Sequence, residues 1–149
     1  ELPVTVDELS FIENNALIAD SNFFSVFSFK LIQGDQHTAL NDPNRVILTE
    51  SLAKKYFDYN DSGKILLGKQ LKVGDGNFEV SGIVADPPDN SHFDFDLIVS
   101  MKTMGNSTGE WTSNNQYTYL VLNPMANWKD LEAKFDVLIE KYVGPEIQQ

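Results

Sequence analysis

The chain has 149 residues, no cysteine and a formal charge of −11 from 22 acidic and 11 basic side chains. That length makes one ordinary domain or two small lobes sharing a core, and a composition 42% hydrophobic and 22% charged is that of a packed chain rather than a disordered one. The charge, with no basic run longer than Lys54-Lys55, argues against a nucleic-acid face or a polybasic lipid anchor, and the missing thiols exclude disulfides, thiolate metal sites and a Cys nucleophile.

Residues 1–19 read as extended, with Val4, Val6, Leu9, Phe11, Leu17 and Ile18 interleaved with polar residues at roughly period 2. Asp20-Ser21 then caps a short helix over 22–27 that carries Phe23, Phe24, Val26 and Phe27. Residues 29–32 return to strand, Gly34-Asp35 turns it, and 35–44 reads as a polar connector. Arg45 to Leu48 is a short strand, and Thr49 caps a helix over 50–57 with Leu52, Ala53, Tyr56 and Phe57 on one face.

A polar loop over 58–64 leads into a β-hairpin. Residues 70–73 alternate, Gly74-Asp75-Gly76-Asn77 turns, and 78–84 alternate back, with the Asp-Gly pair favouring a primed turn. Asp86-Pro87-Pro88-Asp89-Asn90 is a stiff turn, 93–99 a further strand, and 103–113 a loop rich in Gly, Ser, Asn and Thr. Residues 116–122 predict a strand ended by Asn123-Pro124. Asn127 caps the longest predicted helix, 128–143, whose stripe of Trp128, Leu131, Phe135, Leu138, Ile139, Tyr142 and Val143 should be buried, and Gly144-Pro145 stops it.

These elements predict an α+β fold, a porter-like α/β lobe with a small inserted β-rich lobe. The expected division assigns 1–41 and 114–149 to the discontinuous α/β lobe and 42–113 to the insert. No apolar run is long enough to cross a bilayer. Glu1-Leu2-Pro3 has neither a charged n-region nor an apolar h-region, as expected of a cytosolic protein or of a piece of a longer chain.

Several motifs suggest chemistry and then fail it. Gly63 to Lys69 has the spacing of a phosphate-binding loop, but position 70 is Gln where Ser or Thr must hold magnesium, and a polar loop stands where a strand should precede. Asp58, Asn60, Ser62 and Gly63 mimic the start of a calcium loop, but its closing Glu would fall on Lys69. His37 and His92 lie in separate loops without a ligand at helical spacing. Asp94 and Asp96 share one face of their predicted strand, as a solvent-facing stripe opposite Phe93, Phe95 and Leu97 would. Neither H-E-x-x-H nor G-x-G-x-x-G occurs. The sequons at Asn60 and Asn106 matter only in a eukaryotic secretory protein.

Four fragments appear in order. Ala19-Asp20-Ser21-Asn22-Phe23-Phe24-Ser25-Val26-Phe27 runs on to Gly34-Asp35. Arg45-Val46-Ile47-Leu48-Thr49-Glu50-Ser51-Leu52-Ala53-Lys54-Lys55-Tyr56-Phe57 follows, then Gly68-Lys69-Gln70-Leu71. Phe78-Glu79-Val80-Ser81-Gly82-Ile83-Val84 leads to Asp86-Pro87-Pro88-Asp89-Asn90-Ser91-His92. Together they resemble the MacB-like periplasmic core domain of FtsX-type ABC transporter permeases, in the variant associated with Bacteroidetes. The segment 117–143 is similar to that family's return segment. The departures are an apparent insertion between Phe57 and Gly68 and a poor match over 1–18.

The resemblance implies a non-catalytic domain between two transmembrane helices on the periplasmic side of the bacterial inner membrane. It implies no catalytic, cofactor-binding or metal-binding residue. The implied partners are the domain's own transmembrane helices, a cytoplasmic ATPase subunit, a second permease copy and a periplasmic adaptor; nucleic acid is not among them. The implied role couples ATP-driven motion to export or to a periplasmic partner, with both chain ends at one membrane-facing pole. The competing readings are a secreted acidic module that binds a cationic peptide or protein, and a small hydrolase using paired carboxylates.

Overall fold

A computed structural model describes residues 1–60, 63–105 and 116–147. The chain divides into two compact units, Glu1–Gly105 and Asn106–Gln149.

The first unit is built on one mixed sheet. Its strands are β1 (Leu2–Val6), β2 (Leu9–Glu13), β3 (Ala16–Ala19), β4 (Leu31–Gln33), β5 (Arg45–Thr49), β6 (Gln70–Val73), β7 (Gly76–Val84) and β8 (Leu97–Ser100). They lie in the order β2-β1-β6-β7-β5-β8-β3, with β4 also on β7. The β5–β7 and β3–β8 pairs are parallel and the remaining pairs antiparallel. Two short helices, α1 (Phe23–Val26) and α2 (Glu50–Phe57), complete the unit's mixed α/β architecture.

The runs 46–48 in β5 and 97–99 in β8 are apolar without interruption because both faces of the sheet are covered there. Alternation sends Val46, Leu48, Leu97 and Val99 into one core with Leu52, Ala53 and Tyr56 of α2. The residues between them, Ile47 and Ile98, enter a second core with Phe23, Phe24 and Phe95. Fully burying a side chain such as Phe95 contributes roughly 1.5–3 kcal/mol.

Strand β5 runs directly into α2. Thr49 caps it, its hydroxyl accepting from the Leu52 N–H at 3.2 Å. The Asp86 carboxylate closes the same turn from the segment after β7, accepting from the Ser51 N–H at 3.1 Å and the Ser51 hydroxyl at 2.9 Å. At the other end Asp58 adopts a left-handed conformation (φ 49°), and the Lys64 ammonium donates to the Phe57 carbonyl, a cation on the negative end of the helix.

Three expectations need correction in this unit. The connector over 35–44 is not merely polar. It coils on Asp35, which accepts from the Thr38 and Ala39 N–H groups, and it buries Ala39 and Leu40 in the second core. The hairpin turns on Gly74-Asp75 rather than Asp75-Gly76: Val73 pairs with Gly76, and Gly74 carries the positive φ of 60°. The strand expected over 93–99 begins only at Leu97. Before it, Asp96 makes single bonds, its N–H to the Asn15 carbonyl (2.8 Å) and its carbonyl from the Thr49 N–H (2.9 Å), which is no continuous ladder.

In the second unit no strand forms over 116–122. The expected single helix is broken into α3 (Trp128–Glu132), α4 (Phe135–Leu138), a π turn (Ile139–Val143) and α5 (Gly144–Ile147), so helical structure continues past the expected stop at Gly144-Pro145. Most of the stripe expected to be buried is exposed, with Trp128 at 59%, Phe135 at 43% and Ile139 at 51%, while Leu131 and Val143 are half-buried. An amphipathic helix owes most of its stability to the layer its apolar face packs against. None of the described residues in this unit is buried, so they form no such layer among themselves.

The expected boundary at 41/42 is not marked by a break in the sheet, because strands from both sides of it share the ladder.

Candidate functional site

A buried cluster of ionisable groups lies where the β1–β2 hairpin meets α2. Glu13 closes β2 and is only 6% exposed. Lys55 Nζ lies 2.7 Å from its carboxylate, and the Tyr56 hydroxyl donates to the same oxygen at 2.5 Å. Lys55 also stands over the Phe11 ring, 4.6 Å from its centroid, and Phe11 meets Tyr56 edge-on at 5.8 Å. A carboxylate this buried is tolerable only with such partners.

The electrostatics keep Tyr56 in its neutral, donating form. Burial pushes the Tyr56 phenol well above its ordinary value, and the hydrogen bond and charge of Glu13 push it further. Tyr56 is therefore a hydrogen-bond donor at any physiological pH. Burial likewise raises Asp96, helped by Glu13, Asp94 and Asp86 and opposed by Lys55. Asp96 is half-buried and Asp94 exposed, so the expected solvent-facing stripe holds for Asp94 alone.

The other tempting motifs resolve into structural roles. In the Gly63 to Lys69 segment Lys64 is turned onto a helix carbonyl and Leu66 is fully buried. The segment leads into a strand instead of a helix N-terminus, so it lacks the geometry of a phosphate loop. The Gln33 side chain brackets it, its amide donating to the Lys64 carbonyl (2.7 Å) and accepting from the Leu66 N–H (3.0 Å). The apparent insertion after Phe57 is thus anchored in the core through Tyr59 and Leu66. The calcium-like spacing over 58–63 lies partly outside the described residues, and among those described no cluster of three or more metal-ligating side chains occurs.

The two histidines are not brought into one site. His37 lines an open depression with Phe29, Lys30, Leu31, Gly34, Asp35 and Gln36. The His92 ring lies 4.0 Å from that of Phe93. Gly105 to Gly109 has the spacing of a serine-nucleophile elbow, which sequence reasoning passed over. An elbow needs a strand running straight into its first Gly, whereas β8 ends at Ser100 and a 3₁₀ turn occupies Met101–Met104. Ser107 itself lies outside the described residues. The Glu13–Lys55–Tyr56 cluster also went unread. The only signal for it was a lone Glu at the end of an apolar-alternating run.

A model of the MacB-like periplasmic core domain matches residues 4–138. The chain belongs to that family. Solved structures that share its fold include the following. A domain of a Porphyromonas gingivalis protein assigned as a permease is 25% identical, with a TM-score of 0.76 over 94% of this chain and 64% of the other. The periplasmic region of MacB from Actinobacillus actinomycetemcomitans is 20% identical, with a TM-score of 0.64 over 94% of this chain and 62% of the other. The extracellular domain of the noncanonic ABC-type transporter YknZ from Gram-positive bacteria is 16% identical, with a TM-score of 0.50 over 71% of this chain and 52% of the other. The chain thus spans less than two thirds of the solved domains it matches. No curated protein matches the sequence.

The fragments that carried the resemblance become packing devices in this MacB-like domain. Phe23, Phe24, Phe27 and Phe29 join Phe93 and Phe95 in one aromatic cluster. Thr49 and Asp86, from different fragments, cap one helix. Gly34 and Gly82, also from different fragments, let β4 approach β7 closely.

Proposed function

We propose that this MacB-like domain is the extracytoplasmic part of an ABC-type permease and passes motion of the transmembrane helices to a substrate or a periplasmic partner. ATP hydrolysis by a separate cytoplasmic subunit would supply the motion. The family is one of permease domains and not of enzymes. The observation that carries the reading is the double-faced packing of the sheet, whose two cores lie on opposite sides of β5 and β8. Such a body moves as a unit, and domain-scale rigid motion is what a transmitter needs.

In this reading 114–149 completes, with 1–41, the porter-like lobe around 42–113. The family match over 4–138, which takes in most of both segments, supports this. A second permease copy and a periplasmic adaptor are the proposed partners.

Paired spin labels test the transmitter role in the membrane-embedded full-length protein with its ATPase. Labels at Ser25→Cys and Asp75→Cys should keep one separation with and without ATP, while a label at Asp75→Cys should change its distance to its counterpart in the second copy. A changed internal separation with a constant intermolecular one would overturn the reading.

A further inference from the structure

β2 is an outer strand of the sheet among the described residues. Among the described residues β2 pairs only with β1, through a five-residue antiparallel register without a bulge. The loop Asp7-Glu8 makes Val6 and Leu9 the closing hydrogen-bonded pair. Alternation then directs the Leu9, Phe11 and Glu13 backbone groups toward β1, and those of Ser10 and Ile12 outward. The Thr5 and Ser10 hydroxyls, 2.9 Å apart, agree with the close side-chain approach of a non-hydrogen-bonded pair.

Proteins normally blunt such an edge with Lys, Pro, a bulge or an inward charge. β2 has no Lys, no Pro and no bulge, and its one charge, Glu13, is held by Lys55 and Tyr56. Its apolar residues are open on both faces, Leu9 at 46%, Phe11 at 43% and Ile12 at 55% exposure.

The surrounding charge selects the occupant. Asp7 and Glu8 are exposed at the start of the strand, and Asp94 is exposed near its end, where Glu13, Asp86 and Asp96 face a single Lys55. A second copy of this chain, carrying a net charge of −11, would bring the same sign.

We propose that β2 is a strand-addition site for an extended segment of another protein, apolar and β-branched at its centre and basic at both ends. Main-chain bonds to Ser10 and Ile12 would supply the register, Phe11 and Ile12 the apolar contact, and the flanking carboxylates the charge preference. The site rests on the edge geometry and not on the permease reading. The two therefore fail separately, this one in a peptide titration and that one in the spin-label distances.

The test uses the 149-residue chain and a capped peptide of alternating threonine and valine flanked by lysine pairs. At saturation, hydrogen exchange at the Ser10 and Ile12 amides should slow, while α2 amides stay unchanged. Ile12→Pro removes an outward N–H without touching the β1 ladder and should weaken binding by about tenfold or more. Ile12→Lys, which leaves the backbone intact, should weaken it through charge. The same peptide with glutamates for lysines should not bind. No binding at millimolar peptide, unchanged Ser10 and Ile12 exchange, or equal binding of the glutamate peptide would overturn the proposal. So would slow exchange of these amides before peptide is added: concentration dependence would identify a second copy as the occupant, and its absence the chain's own 116–122 segment.

Discussion

Gly34 stands so close to Ser81 that a Cβ on it would lie 2.5 Å from the Ser81 carbonyl oxygen and 3.0 Å from the Gly82 Cα. Gly34 also has a φ of 96°, which side chains rarely adopt. Gly34→Ala therefore meets backbone that cannot give way, in a strained conformation, and should cost more than about 2 kcal/mol. Gly68→Ala, with a φ of 83° but open space, is the control and should cost about 1 kcal/mol. Urea midpoints at constant slope would compare them. Equal shifts would place the whole effect in φ.

Tyr56→Phe keeps the ring in the core and removes the donor from buried Glu13. A hydrogen bond to a charged group is worth about 1.5–3 kcal/mol, so the unfolding midpoint should fall by a corresponding amount. An unchanged midpoint would show that Lys55 alone suffices for Glu13.

Asp96 offers a pH signature. Its folded-state pKa lies above the unfolded value, so the native state binds its proton more tightly. Asp96 thus favours the fold at pH below the ordinary carboxylate value of 3.8, and this support is lost as pH rises through the raised value. Asp96→Asn stays neutral throughout. It should raise Tm at pH 7, with the advantage closing as the solution is acidified below about 4. A Tm difference independent of pH would contradict the burial and repulsion assigned to this group.

Thr49 and Asp86 satisfy neighbouring donors of one helical turn. Thr49→Ala and Asp86→Ala should each cost about 1 kcal/mol. The double variant should cost measurably less or more than the sum, because the two share that turn. Strict additivity in thermal melts would separate their roles.

Phe135→Ala should leave the unfolding midpoint of this chain almost unmoved, since Phe135 is 43% exposed. Surface substitutions usually change stability by less than about 0.5 kcal/mol. A loss of about 3 kcal/mol, typical of truncating a core Phe, would mean that the stripe over 128–143 is covered in solution.

Local signals were readable in the sequence where they agreed with one another. Thr49 followed by Leu52, Ala53 and Tyr56 marked α2 because cap and stripe coincide, and the glycine-rich turn between 70–73 and 78–84 marked the β6–β7 hairpin. The helix expected over 22–27 likewise formed, and its Phe23 and Phe24 are buried in the second core. Partnerships set by distant residues were not readable. Glu13 is paired with Lys55 and Tyr56 across the hairpin–helix junction, and nothing within five residues of it specifies that. The strand over 116–122 and the helix over 128–143 failed for a related reason. Alternation and amphipathicity state what a segment could bury, and the burial itself requires another layer.

The parallel pairing of β3 with β8, Ala16 against Leu97 through Ala19 against Ser100, joins nearly opposite ends of the 1–105 unit. Pairs so far apart in sequence are slow to form, since the loop between them must close before the contact repays it. While the chain is being delivered from its N-terminus, Ile18 and its neighbours wait for a strand that arrives last. The β1–β2 hairpin can form at once, but the sheet cannot close until Ser100 has emerged. That interval is when the half-made sheet is most open to mispairing, and a holding factor would act on it there.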